Sequence, residues 1–157
     1  MNRERWSIFG ALVLSGTTAF CQVALAEGSA APTGDTAIVM RAQGQEVRGW
    51  LDDSVTSRDL IKTLPRTLPM KRWGAREFYG KPGDRLRVEG RTQSGFADGD
   101  ISYWVPGGSF AIFYDARQNQ NIDNLLVIGK VTDGLDRFHR FDDAIELRIE
   151  LAEEARK

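Results

Sequence analysis

Between Gly99 and Val131 the chain reads GDISYWVPGGSFAIFY, then a polar loop, then LLVIGKV. Two β-rich runs joined by Pro106-Gly107-Gly108 read as a hairpin, and the third run supplies another strand from the same β-branched and aromatic vocabulary. A chain carrying this block must build a sheet. Its strand residues are mostly apolar, and none is an evident acid, base, nucleophile or metal ligand.

Other segments extend the sheet. TAIVMRAQ and EVRGWL flank Gly44 as two strands of a hairpin, with Val39, Met40, Val47, Trp50 and Leu51 as apolar content. TLPMKRW, REFY and RLRVEG read as further short strands, the last placing Leu86 and Val88 opposite Arg85, Arg87 and Glu89. The clearest period-2 stretch is C-terminal: Ile145, Leu147, Ile149 and Leu151 alternate with Glu146, Arg148 and Glu150, so one face is buried and one is wet. One helix is expected after the loop Asp52–Val55. Thr56 caps it, Asp59 sits near its positive end, Val55 staples onto Leu60, and Pro65 stops it. Leu135 to Phe141 reads as a brief helical turn, and Gly90 to Gly99 as a loop of turn formers around Phe96. Eight or so short strands with mostly antiparallel spacing predict a mainly β domain, a closed barrel or a sandwich with a helix packed on it.

The ends predict where the chain works. MNRER is followed by WSIFGALVLSGTTAF, and Ala24-Leu25-Ala26 supplies the small-x-small pattern of a signal peptidase site, so residues 1–26 read as a secretory signal cleaved after Ala26. The run is diluted by Ser7, Gly10, Ser15 to Thr18 and Gln22, which disfavours a retained membrane anchor. Phe20 before Cys21 argues against lipid attachment at that cysteine. Residues 27–35 form a small, polar leader, 36–152 the domain, and 153–157 a polar tail. The one cysteine is lost with the signal, so the exported protein, periplasmic or secreted, is held by its core without a disulfide. The whole chain has a formal net charge of −1, and losing Arg3, Glu4 and Arg5 makes it one charge more negative. That balance supports neither nucleic acid nor an anionic membrane as partner.

The order of elements resembles the cyclophilins and, more closely, the bacterial cyclophilin-like proteins. SRDLIKTLP, GDISYWVPGGSFAIFY and IGKVTDGL carry the resemblance, which spans about Ala37 to Leu151. It implies a closed eight-stranded cyclophilin-like β-barrel with one or two short helices. Cyclophilins isomerise Xaa-Pro bonds with an arginine, a phenylalanine pocket and nearby glutamine, tryptophan and histidine. Matched onto this chain, the arginine position falls on Tyr79, the phenylalanine on Ile112, the glutamine on Phe110, the histidine on Leu125 and the tryptophan on Gln120. A neutral phenol does not replace a guanidinium that is always charged and donates five hydrogen bonds. Lowering a barrier of about 18 to 20 kcal/mol needs oriented electrostatics at the amide. Efficient isomerisation is therefore not expected.

The resemblance instead implies an outward strand face presenting Trp104, Phe110 and Ile112, with Tyr79 and Leu125 nearby, as an apolar groove for a small molecule or a peptide. Glu77, matching an acidic position of the cyclophilin-like proteins, stands ready there to orient a ligand amine or to act as acid or base; a surface ion pair with Arg76 or Lys81 is the plainer role. Arg91 and Arg117 read as solvated loop charges. His139 beside Asp142 and Asp143 lacks metal-site spacing, no G-x-S-x-G elbow is present, and the glycines form no phosphate cradle, so neither metal nor cofactor is expected. The readings left open are a binding module, a weak prolyl isomerase, and hydrolytic or transfer chemistry at Glu77.

Overall fold

The structure, a computed structural model, describes residues 34–118 and 121–153. The expected signal 1–26, most of the leader 27–35, Gln120 and all but the first residue of the tail lie outside the described residues. Eight strands form: β1 (Thr36–Ala42), β2 (Gln45–Leu51), β3 (Arg66–Trp73), β4 (Glu77–Gly80), β5 (Asp100–Trp104), β6 (Ser109–Phe113), β7 (Leu125–Asp133) and β8 (Ala144–Leu151). One α-helix, α1 (Val55–Ile61), follows β2, and a 3-10 helix (Leu135–His139) precedes β8. The strands close into a barrel in the order β1-β2-β7-β5-β6-β4-β3-β8, and every neighbouring pair is antiparallel.

Period-2 alternation fills the barrel. On β8, Ile145, Leu147 and Ile149 are buried while Glu146 and Arg148 face water, as the sequence predicts. Ile38 and Met40 from β1, Leu68 and Met70 from β3, Phe78 from β4, Ile101 and Tyr103 from β5, and Phe110 and Ile112 from β6 join them in one cluster. The β1–β2 hairpin turns through Gln43 and Gly44, both at positive φ (49° and 73°), the requirement of a two-residue turn whose twist matches the strands. At the β2–β7 crossing the backbones nearly touch. A Cβ on Gly129 would lie 2.1 Å from the carbonyl oxygen of Trp50, so only glycine permits the approach.

Three expectations are corrected. RLRVEG makes no ladder. Its polar groups are used instead to pin the segment across the barrel end: Arg87 grips Asp59 of α1 through Nε (2.8 Å) and Nη2 (2.7 Å), Arg85 donates to the Val105 carbonyl, and the Leu86 amide donates to the buried Tyr103 hydroxyl. Leu86 packs into the core, whereas Val88 is exposed. The helix cap is Ser54 rather than Thr56, its hydroxyl accepting from the Ser57 amide at 3.1 Å. Thr56 is fully buried and donates to the Arg87 carbonyl, so tertiary contact claims the side chain that local pattern assigned to the cap. Asp59 serves Arg87 rather than the helix terminus, and that guanidinium holds its carboxyl well below the usual range.

Candidate functional site

The ladder registers decide which side chains share the outer face of β4, β6 and β5. Glu77 lies opposite Phe113, Tyr79 opposite Ala111, and Trp104 opposite Ser109. Directly opposed residues point the same way. Phe110 and Ile112 belong to the other parity, inside the barrel. The outer set borders a depression of about 370 Å³, within the range of small-molecule pockets. Trp73, placed opposite Glu77 at the end of β3, and Arg76 and Ile122 from the flanking loops complete its walls.

Three of the six anticipated residues therefore meet at one concave surface: Glu77, Tyr79 and Trp104. Phe110 and Ile112 do not: both point into the barrel core, on the opposite face of β6 from Ser109, Ala111 and Phe113. Leu125 faces outward opposite Trp104 but is fully covered, packed with Phe96, Ala111 and Phe113 in a small satellite cluster. The unforeseen members are Trp73, Arg76, Ser109, Ala111, Phe113 and Ile122. The alternation in SFAIF held the signal for three of them, since Ser109, Ala111 and Phe113 must share a face.

The aromatic walls are held from behind. Gly107, in the turn after β5, lets the Trp104 ring lie flat against the backbone: a Cβ there would meet Cε3 and Cζ3 of the indole at 2.3 Å. The indole nitrogen then donates to the Asp123 carbonyl at 3.1 Å, fixing the ring in its plane. Trp73 and Tyr79 stand edge to face, 6.2 Å apart with 78° between their planes. Trp73 is 58% exposed and Trp104 36%, so both present ring surface to solvent.

Among the described residues, the charged part of the lining is one ion pair. Arg76 Nε lies 3.1 Å from Glu77 Oε2, with the side chains only 11% and 8% exposed. The contact is ionic without a well-directed hydrogen bond. Burial raises the Glu77 pKa, and the Arg76 charge opposes that shift. Arg76 also stacks its guanidinium over Phe96, 5.6 Å from the ring centre, and Phe96 in turn lies on Phe113 at 4.2 Å. The lone Phe96 of the long loop thus clamps the arginine.

The remaining candidates fall outside this surface. Arg117 is spent on Asp115, whose carboxyl its hydrogen bonds hold at about 2. His139 is exposed and meets the Tyr114 ring edge-on at 4.9 Å, Asp142 bonds Gln43, and Asp143 pairs with Arg72. Among the described residues no three His, Cys, Asp or Glu side chains converge as a metal site, and no helix is long and apolar enough to cross a membrane.

The model of the cyclophilin-like family matches residues 40–150, most of the chain. This chain belongs to that family. Among solved structures it is similar to a hypothetical protein from Archaeoglobus fulgidus, known from a solution structure: the TM-score is 0.61 and the identity 21%, covering 76% of this chain and 96% of that one. At that identity the likeness speaks for the fold. A comparison with curated proteins finds no match.

Proposed function

We propose that this protein is an exported binding module, a cyclophilin-like barrel that takes a small molecule or a peptide segment in the groove over β4, β6 and β5, without a cofactor and without efficient prolyl isomerisation. One observation carries this reading: three partly exposed aromatic side chains border a depression whose ionic lining, among the described residues, is the buried Arg76–Glu77 pair. Apolar walls with one oriented polar feature are the ordinary makeup of a ligand site. The export half rests on the basic, apolar and small-residue order of residues 1–26. N-terminal sequencing of the protein from a periplasmic fraction is expected to begin at Glu27.

Thermal-shift screening of metabolites and proline-containing peptides tests the binding half. A ligand that prefers the native state raises the melting temperature, by mass action. The same ligand is expected to lose its effect on Trp104→Ala, and a screen in which nothing stabilises the wild-type protein sinks the reading.

A second reading, weak prolyl isomerisation, is favoured by one finding: a guanidinium, that of Arg76, does line the groove although the matched arginine position is Tyr79. Its ion pair with Glu77 and its stacking on Phe96 restrain it from reaching a bound amide. A protease-coupled assay with a Xaa-Pro peptide at the rate of the buffer blank removes this reading.

A further inference from the structure

The groove combines two features that favour the same ligand chemistry. Trp73 and Tyr79 form two walls at nearly a right angle, and Trp104 adds a third ring. The faces of such rings carry negative electrostatic potential and attract cations. Beside them Glu77 is 94% buried, yet its Oε2 accepts no hydrogen bond, since the Arg76 contact is ionic and poorly directed. A buried acceptor left in that state is costly, and a donor supplied by a ligand recovers the cost.

We infer that the groove selects a small organic amine in its protonated form, the ammonium donating an N–H to Glu77 while its flanking carbons lie on Trp73, Tyr79 and Trp104. This inference rests on the binding-module reading and narrows it to one ligand class. The size of the depression, about 370 Å³, suits a free small molecule rather than an extended chain. Of the cations at the rim, Lys81 donates to the Gly107 carbonyl, and Lys71, opposite Tyr79 in the ladder, is exposed to solvent and stands outside the lining of the depression. Arg76, the cation of the described lining, argues for an anion instead, and it is committed to Glu77 and Phe96.

The test uses the mature protein and four probes followed by NMR titration of the indole N–H signals: benzylamine, its neutral counterpart benzyl alcohol, the anion benzoate, and a capped lysine as stand-in for a peptide side chain. The expected result is that benzylamine shifts the Trp73 and Trp104 signals and binds about tenfold more tightly than benzyl alcohol, a difference of about 1.4 kcal/mol. Glu77→Gln should erase that margin. Should that variant fail to fold, Trp73→Ala, at an exposed site, should reduce the margin severalfold. Equal binding of amine and alcohol overturns the ammonium inference and leaves the groove reading standing. Tighter binding of benzoate overturns it in favour of Arg76, and tighter binding of the capped lysine overturns the free small molecule. If no probe moves either indole, the inference and the groove reading fall together, because the rings that define both are then untouched.

Discussion

The two outer walls of the barrel contrast sharply. Over β1, β2 and β8 the surface is a lattice of opposite charges: Arg41 bonds Glu46 and Glu150, Arg48 reaches Glu46, and Arg148 reaches Glu150. Over β4, β6 and β5 the same kind of ladder presents tryptophan, tyrosine, serine, alanine and phenylalanine, with one ion pair sunk among them. Both walls obey the same inward alternation; on the second, Phe96 covers Ala111 and Phe113 in the satellite cluster, while Trp73 and Trp104 stay open to solvent. Exposed ion pairs contribute little to stability, and a solvated charged wall is what a sheet shows when only water faces it. Trp73 and Trp104 expose apolar ring surface that neither the core nor the satellite cluster requires. That excess is the physical argument for a ligand there.

Four substitutions break or sharpen the contrast. Phe110→Ala removes a fully buried ring from the barrel interior and is expected to cost about 4 kcal/mol in a urea melt; a cost under about 1 kcal/mol would return Phe110 to the groove side. Arg76→Ala strips Glu77 of its counter-charge and is expected to cost about 3 kcal/mol near neutral pH. The pH dependence of that cost has a definite sign. Burial raises the folded pKa of Glu77 above its unfolded value, so the native state holds the proton more tightly, and protonation as pH falls through the folded pKa favours folding. The Arg76→Ala deficit should therefore shrink on mild acidification, and a deficit that grows would contradict this account.

Smaller effects follow on either wall. Gly107→Ala pushes a methyl group into the Trp104 ring and should cost about 1 kcal/mol, with a change in Trp104 emission as the ring leaves its seat. Arg148→Ala, on the charged wall, should change stability by less than about 0.5 kcal/mol, and by less still at high salt. A loss above about 2 kcal/mol would show that the lattice is more than a solvated surface.

The barrel was largely legible in the sequence because a strand announces its buried face by alternation and its end by turn residues. Ile145, Leu147 and Ile149 did so without help from any partner, as did Gly44 between β1 and β2. RLRVEG carried the same alternation yet made no ladder, because its arginines found Asp59 and the Val105 carbonyl, contacts between segments far apart in the chain. The site was half legible for a related reason. Glu77, Tyr79 and Trp104 lay in recognisable motifs, but which face of β6 joins them depends on register, which is a property of two strands together. Trp73 and Arg76 were hidden further still, since their place at the groove follows from a β3–β4 pairing and from a loop clamped by Phe96.

Closure of the barrel carries a last consequence, for the kind of recognition open to this protein. Each of the eight strands has a hydrogen-bonded neighbour on both sides, so among the described residues the closed sheet has no terminal strand beside which an extended peptide could lie as a ninth. A ligand in the proposed groove would be read by side chains, not by the repeating amide pattern that makes edge pairing indifferent to sequence. On the proposed binding reading, selectivity is concentrated in a few positions such as Trp73, Tyr79 and Trp104, whose exchange would leave the ladder intact. The scaffold and its specificity can vary independently.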